Sequence, residues 1–384
     1  MEKILLVNDF NLGGGAEGVF RDTYALLKEN GNFVDVFYGE KKATDPSSVF
    51  SYLYNTKVKK NLENKLDSYE PTIIHIHNYY HFLSPAIFLA IKKYKKQRNV
   101  KVVFTAHDYH LICPSSGMMT FSNNQVTPIG FEKHSFPLFK SIDHRGWKYS
   151  FMKKIYWIWS IKILRILNLI DEIISPSEFL AQTFINFGIK TPINIVRNPF
   201  KGKVPTDLLK TKPLCSKEIR LLFIGRLSQE KGLYSFLDAF SKLKYKQNLR
   251  LDVLGEGNEA QKLKNLISFK GIDNVTFHGF KSGNELERFL IKSNVLLLPS
   301  VWYENAPLSI IEGAAYGNII LAKNLGGMVE LSKKSKQYVL IDDWELELEN
   351  AIEKLRKLPC NELVDVSKFS DVTYVNLILK CYSK

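Results

Sequence analysis

The amino-acid sequence predicts an α/β protein built as two doubly wound domains facing across a cleft. Three observations carry that reading. Short apolar runs with strand character alternate with helical patterns along almost the whole chain. The alternation breaks once, in a proline- and lysine-rich stretch near residue 200, and then restarts. The unusual residues cluster directly after the strands, where open parallel sheets bind their ligands.

In the first half the predicted strands are 3–7, 33–38, 73–77, 101–105, 172–175 and 193–196, with helical patterns such as 17–29 and 85–95 between them. Strands this short and this apolar are those of a parallel sheet covered by helices on both faces. The segment from Asn198-Pro199-Phe200 to Cys215 has three prolines and no period, and reads as a linker. Beyond it strands are expected at 220–224, 250–254, 275–277, 295–298, 319–322 and 338–341, with helices starting near Leu233, Glu259, Asn284 and Pro307. The expected organisation is a domain over 1–197, a linker over 198–218, a second domain over 219–365, and a tail over 366–384.

Length and composition agree with this division. A chain of 384 residues with 45% hydrophobic and 12% aromatic side chains can bury two sizeable cores. Four cysteines, Cys113, Cys215, Cys360 and Cys381, show no metal-ligand or redox spacing and fit unpaired thiols in a reducing compartment. The apolar run at the N-terminus is too short for a secretion signal. The stretch Ile155–Ile170, interrupted by Lys162 and Arg165, falls short of a membrane span. A soluble or peripheral protein is expected.

The net charge of +14 admits nucleic acid, anionic lipid or phosphate ligands. Residues 133–170 concentrate it: Lys133, Lys140, Arg145, Lys148, Lys153, Lys154, Lys162 and Arg165 stand against Asp143 alone, interleaved with aromatics from Phe136 to Trp159. On a continuous α-helix Lys154, Lys162 and Arg165 would fall within about 80° of one another. Two readings stand: a basic amphipathic helix on an anionic membrane, or a core helix with a solvated basic edge.

Six motifs follow strands. In Asn11–Gly18 the glycines Gly13, Gly14, Gly15 and Gly18 permit positive φ and close approach of a phosphate. Gly13, Gly15 and Gly18, with Glu40 near the end of the second strand, also satisfy the dinucleotide pattern, which alone decides nothing. His107, next to Asp108, can donate to a sugar hydroxyl or phosphate, or transfer a proton. Arg226 and Lys231 place a planar fork and a mobile charge in one strand-to-helix loop, a plausible diphosphate clamp. The loops holding Gly255 with Glu256, and Phe280, can set a nucleotide base against backbone amides. In Pro299–Ala314, Pro307 suits a helix start, leaving the amides of Leu308 and Ser309 facing outward as a pyrophosphate seat. Glu304 precedes that helix. Glu312 lies inside it among apolar neighbours, and a buried carboxylate there needs a partner, which a ribose diol would supply. The glycine turn Asn324–Glu330 either lines the same pocket or merely turns the chain.

Together these residues resemble the retaining family-4 glycosyltransferases of the GT-B fold, two Rossmann-like domains facing across a cleft. The strongest element is Glu304 with Glu312, the family's E-x7-E pair, within ENAPLSIIEGAAYG. Arg226 and Lys231 match the family's paired basic residues, Gly14 and Gly15 its glycine loop, and His107 its histidine. The resemblance implies that Arg226 and Lys231 bind the donor diphosphate, that Glu312 holds the ribose, and that Glu304 contacts the donor sugar or its leaving phosphate. His107 would bind near the transferred sugar. Gly14, Gly15, Gly255, Phe280, Asn305, Ala306, Leu308 and Ser309 would complete the donor site. It further implies transfer with retention from a nucleotide diphosphate sugar, no cofactor, no essential metal, and a C-terminal tail packed on the first domain. Asp342-Asp343 reads as a helix N-cap rather than a metal motif.

Three other functions can be written for the chain. A nicotinamide-dependent dehydrogenase leaves Arg226, Lys231 and the Glu304–Glu312 unit unexplained. A nucleotide-sugar epimerase of similar fold would need no acceptor. A protein that only binds nucleic acid or membranes should carry one basic stripe, whereas both halves of this chain are basic. The expected acceptor is a glycan or polyprenyl-linked glycan at the inner face of the plasma membrane, and no nucleic acid partner is expected. The 43 lysines against 10 arginines fit an AT-rich bacterial genome, so bacterial surface-polysaccharide assembly is the expected setting.

Overall fold

A computed structural model describes residues 2–39, 49–122, 125–131, 139–200, 215–244, 248–332, 337–358 and 367–383. Glu40, Lys133, Phe136, Cys360, Val366 and linker residues 201–214 lie outside the described residues. The chain forms two compact units, one of residues 1–121, 129–199 and 369–384, the other of 122–128 and 200–368.

The first unit contains the strands β1 (Lys3–Phe10), β2 (Phe33–Gly39), β3 (Ile73–Ile76) and β4 (Lys101–Thr105). A hairpin of β5 (Met119–Ser122) and β6 (Gln125–Pro128), whose second strand is grouped with the other unit, follows, then β7 (Glu172–Ser175) and β8 (Ile193–Ile195). Six of these form a parallel sheet in the order β2-β1-β3-β4-β7-β8. Alternate residues of β1 are buried on opposite faces. Ile4 and Leu6 pack with Phe20, Ile73, Val103 and Ile174, while Leu5 and Val7 are equally buried on the other side. The C-terminal helix Asp371–Ser383 completes the first face with Tyr374, Val375, Ile378 and Cys381, and Tyr374 shares a 2.6 Å hydrogen bond with Thr23.

The second unit contains β9 (Ile219–Ile224), β10 (Leu249–Leu254), β11 (Val275–Gly279), β12 (Val295–Leu298), β13 (Ile319–Lys323) and β14 (Tyr338–Ile341). Their order is β11-β10-β9-β12-β13-β14, all parallel. Burial on both faces again follows from uninterrupted apolar strands. Leu221 and Phe223 join a core with Phe236, Phe240 and Trp344, and Leu222 joins one with Leu296, Ile310 and Ala314. In each sheet the strand order reverses direction once, between β1 and β3 and between β9 and β12, and the loops at such switch points are where doubly wound sheets bind ligands.

Three features depart from the sequence expectation. The helix Thr56–Tyr69 is mostly polar, and only Val58, Leu62 and Leu66, at i, i+4 and i+8, are buried. Its N-cap, Asn55, accepts from the Val58 amide. The segment expected to run as one basic helix does not keep a 3.6-residue period. An α-helix ends at Trp157, a π-helix spans Ile158–Ile163, Arg165 is left-handed with φ 50°, and a 3-10 turn follows. A π-turn adds a residue per turn, so Lys154, Lys162 and Arg165 do not share the expected helical stripe. Asp143 also pairs with two of the segment's cations, Arg145 at 2.9 Å and Lys153 at 2.8 Å. The third departure is at Gly13, Gly14, Gly15 and Gly18, none of which has positive φ. Asp343 does cap helix Trp344–Lys357, accepting from the amides of Glu345 and Leu346. Among the described residues no helix is long and apolar enough to cross a membrane.

Because Ile378 is wholly buried in the first unit's core, Ile378→Ala should lower the stability of that unit by about 3 kcal/mol. Urea unfolding followed by tryptophan fluorescence reads this as a shift in midpoint.

Candidate active site

In the second unit the loops after β9 and β12 are locked together at the switch point. After β9 the chain passes Gly225 and Arg226, makes a 3-10 turn at Gln229–Lys231, and reverses at Gly232 (φ 69°) into helix Leu233–Lys242. A Cβ on Gly232 would stand 2.0 Å from the carbonyl oxygen of Pro299, so only glycine lets these loops meet. The amide of Val301 then donates to Glu230 O at 2.9 Å. Gly255, an expected donor-site residue, is a structural tie of the same kind. It has φ 140°, its Cβ would lie 1.8 Å from Gly225 O, and its amide donates to Gly279 O.

This lock brings Lys231 onto Glu304. Lys231 Nζ donates to Glu304 Oε1 at 2.6 Å, Ser300 Oγ donates to the same oxygen at 2.8 Å, and Nζ lies 5.2 Å from the centroid of the Trp302 ring. Glu304 is buried. Burial alone would raise its carboxyl pKa, but the Lys231 charge and the bonds from Lys231 and Ser300 outweigh it, and the carboxyl is held below its ordinary value. The amide of Gly327 donates to Glu304 O at 2.6 Å, which ties the Asn324–Glu330 turn to the same point. The two loop cations therefore differ in state. Lys231 is committed to Glu304, whereas the Arg226 side chain is exposed and has no hydrogen-bond or ion-pair partner among the described residues.

The helix that follows spans Leu308–Ala315, with Pro307 as N-cap at φ −65° and no side chain capping it. Leu308 and Ser309 occupy its first turn, where amides lack intrahelical acceptors. Asn305 is buried and Ala306 half-buried just ahead of it. Gly313 packs so closely on Leu296 that a Cβ would come within 2.7 Å of its side chain. Glu312 is half-buried, its carboxyl has no hydrogen-bond or ion-pair partner among the described residues, and burial raises its pKa. Phe280 is largely exposed after β11.

In the first unit the glycine loop, with Gly14 as the N-cap of helix Gly15–Glu29, lies open. The Glu17 carboxyl folds to 3.0 Å from where a Gly13 Cβ would be. Sequence reasoning missed Asp9. Pairing between β1 and β2 slips between Asn8 and Phe10, and buried Asp9 there accepts the amides of His81, Phe82 and Leu83 at 2.8–2.9 Å. That fixes the loop after β3 as firmly as a side chain can. His107 follows β4, and its Nε2 lies 3.1 Å from His77 Nδ1. His75 bridges Tyr382 OH and Thr105 Oγ1 at 2.7 and 2.6 Å. Burial holds all three histidines neutral, with His75 lowered to about 3, His107 to about 4 and His77 well below its usual value. Asp108, beside His107, accepts from Tyr80 OH and the His110 amide. No signal in a single sequence marks Asp9 or His77 apart from their place at the ends of the switch-point strands β1 and β3.

Two six-stranded parallel sheets of doubly wound order are those of the GT-B fold. Residues 13–201 match Glycosyltransferase Family 4 and residues 207–368 match Glycosyl transferases group 1. The chain belongs to this family and is a glycosyltransferase. It is 27% identical over 297 residues to a 42.6 kDa protein in the cps region of Klebsiella pneumoniae, covering 76% of this chain and 67% of that one. It is 27% identical over 174 residues to the lipopolysaccharide 1,2-N-acetylglucosaminetransferase of Salmonella typhimurium, covering 41% and 45%. The solved structure of Anabaena Alr3699/HepE in complex with UDP and glucose has the same fold, with a TM-score of 0.65 over 100% of both chains at 16% identity. The epimerase reading gains no support from these matches.

Removing Lys231 leaves a buried carboxylate unpaired. Lys231→Met should therefore cost about 3 kcal/mol at neutral pH, and adding Glu304→Gln should recover most of it. Because the Glu304 pKa is depressed on folding, its contribution is present above the ordinary value of about 4.3 and lost as pH falls through the folded value. The stability gap between Lys231→Met and the parent should thus close in acid, as read by urea unfolding across pH.

Proposed function

We propose that this glycosyltransferase moves a sugar from a nucleotide diphosphate sugar to a glycan or polyprenyl-linked glycan, with retention of anomeric configuration, in bacterial surface-polysaccharide assembly. The observation that carries the donor assignment is the Lys231–Glu304 pair at the switch point, with partnerless Arg226 in the same loop as Lys231. Departure of a nucleoside diphosphate builds negative charge. Arg226, Lys231 and the uncapped N-terminus at Leu308 and Ser309 are the groups that would meet it, with no essential metal. An ammonium has three donors, so Lys231 can hold Glu304 and still reach a phosphate oxygen. Glu312, lacking a partner, takes the ribose hydroxyls, and Gly255, Phe280, Asn305 and Ala306 flank the nucleotide. Gly14, Gly15 and His107 of the first unit act on the sugar side. The UDP and glucose bound by the Anabaena protein, and the cps and lipopolysaccharide names of the relatives, support this donor class and setting.

The first unit supports a lipid-linked acceptor. A half-open, mostly apolar pocket of about 550 Å³ is lined by Leu111, Met118, Ile129, Trp157 and Ile161, with exposed Lys162 beside them. Trp147 and Phe151 are exposed on the adjoining helix. Apolar walls with few polar groups suit a ligand of hydrocarbon character, and exposed aromatics among lysines suit the inner face of the plasma membrane.

A panel of UDP-, GDP-, dTDP- and ADP-sugars tested by calorimetry should identify one donor, and Arg226→Ala or Glu312→Ala should weaken its binding at least about tenfold. Binding of none of them would overturn the donor assignment. Proton NMR of the product should show the donor's anomeric configuration. Replacing Lys162 and Arg165 with alanine should reduce sedimentation with anionic liposomes, and unchanged binding would sink the membrane assignment.

A further inference from the structure

Trp302 has no role in the donor site described above, yet Lys231 rests on its ring. Lys231 Nζ lies 5.2 Å from the ring centroid, within reach of a cation–π contact, for which tryptophan offers the best aromatic face. A lysine ammonium is a point charge on a flexible stem with three rotatable donors. Its bond to Glu304 Oε1 at 2.6 Å fixes a distance but leaves the charge free to swing about the carboxylate. A second contact, on an aromatic face, removes that freedom. The ring is itself well held. Trp302 is half-buried, its carbonyl accepts the Glu304 amide at 3.0 Å, and the amide of neighbouring Val301 donates to Glu230 O at 2.9 Å. Glu230 directly precedes Lys231, so the backbone also fixes ring and lysine to one another. The buried indole N–H makes no hydrogen bond of normal geometry among the described residues. Against the rise that burial causes, it still helps to hold the Glu304 carboxyl below its ordinary value. One ring thus acts on both members of the ion pair.

We infer that Trp302 is a positioning residue whose ring face holds the Lys231 ammonium in place beside Glu304, ready to meet a phosphate of the departing nucleoside diphosphate. Ordering a free lysine as the phosphate arrives would cost binding energy, and the ring removes that cost beforehand. Trp302 acts through Lys231 and need not touch the ligand.

This rests on the diphosphate role proposed for Lys231, so the test separates the two. In the protein without ligand, with lysines labelled with carbon-13, the ring should shift the Lys231 Cε protons upfield. Lys231→Met assigns that signal, and Trp302→Leu should move it back. An unshifted Lys231 signal in the parent overturns the inference whatever the affinities. UDP, GDP, dTDP and ADP are then titrated by calorimetry, and the one that the parent binds most tightly is carried through the variants. Trp302→Leu should weaken its binding about fivefold or more, and Trp302→Phe, which keeps a weaker aromatic face, only about twofold. In a protein already carrying Lys231→Met and Glu304→Gln, Trp302→Leu should change the affinity less than about twofold, because the ring acts through the lysine. Equal losses for the Phe and Leu variants, or a loss undiminished in that background, would mean that Trp302 packs or meets the ligand directly, and would overturn the inference. Binding of none of the four nucleotides, with the Lys231 signal still shifted, would overturn the donor assignment and leave the hold of Trp302 on Lys231 standing.

Discussion

The second unit is organised around one interaction, the 2.6 Å contact between Lys231 and Glu304. A buried ion pair is poor evidence of added stability, since desolvating both charges offsets most of their attraction. What it supplies is position. The pair joins the loop after β9 to the loop after β12, the two strands where the sheet order reverses. The bonds from Ser300 and the Gly327 amide converge on the same glutamate. Every group proposed to meet the departing diphosphate is held relative to this point, and Gly232 is what permits the approach.

The first unit reaches comparable definition through hydrogen bonds. Asp9 closes the loop after β3 through three amides, and the histidines are kept uncharged by burial rather than paired with acids. This difference has a chemical reading. The switch point of the unit proposed to receive a diphosphate is built with ionic groups, Lys231 on Glu304 with Arg226 in the same loop. The histidine cluster, in the unit proposed for the sugar side, offers uncharged donors and acceptors suited to hydroxyl groups.

Much of this was legible in the sequence because parallel strands buried on both faces leave uninterrupted apolar runs, as in Val295–Leu298, and because glycines and charges placed right after them have few other uses. The loop residues Arg226, Lys231 and Glu304 could be singled out on that ground. Their states could not. That Lys231 is paired and Arg226 is not depends on the approach of two loops about seventy residues apart. Asp9 is unmarked in the sequence because its role arises from a slip in pairing and from amides distant in sequence. Helix Thr56–Tyr69 hid behind a three-residue apolar stripe. The basic segment misled because a π-turn breaks the period on which the expected stripe relied.

The central claim is that the loops after β9 and β12, with the helix at Leu308, form a seat for a diphosphate. The most direct measurement compares the affinities of the preferred nucleoside as its mono- and diphosphate by calorimetry, in the parent protein and in Arg226→Ala. The account predicts that the diphosphate binds at least about tenfold more tightly, since its second phosphate is the one that meets the cations. It also predicts that most of this advantage vanishes without Arg226. Equal affinity for the two nucleotides, or an advantage untouched by the substitution, would contradict it.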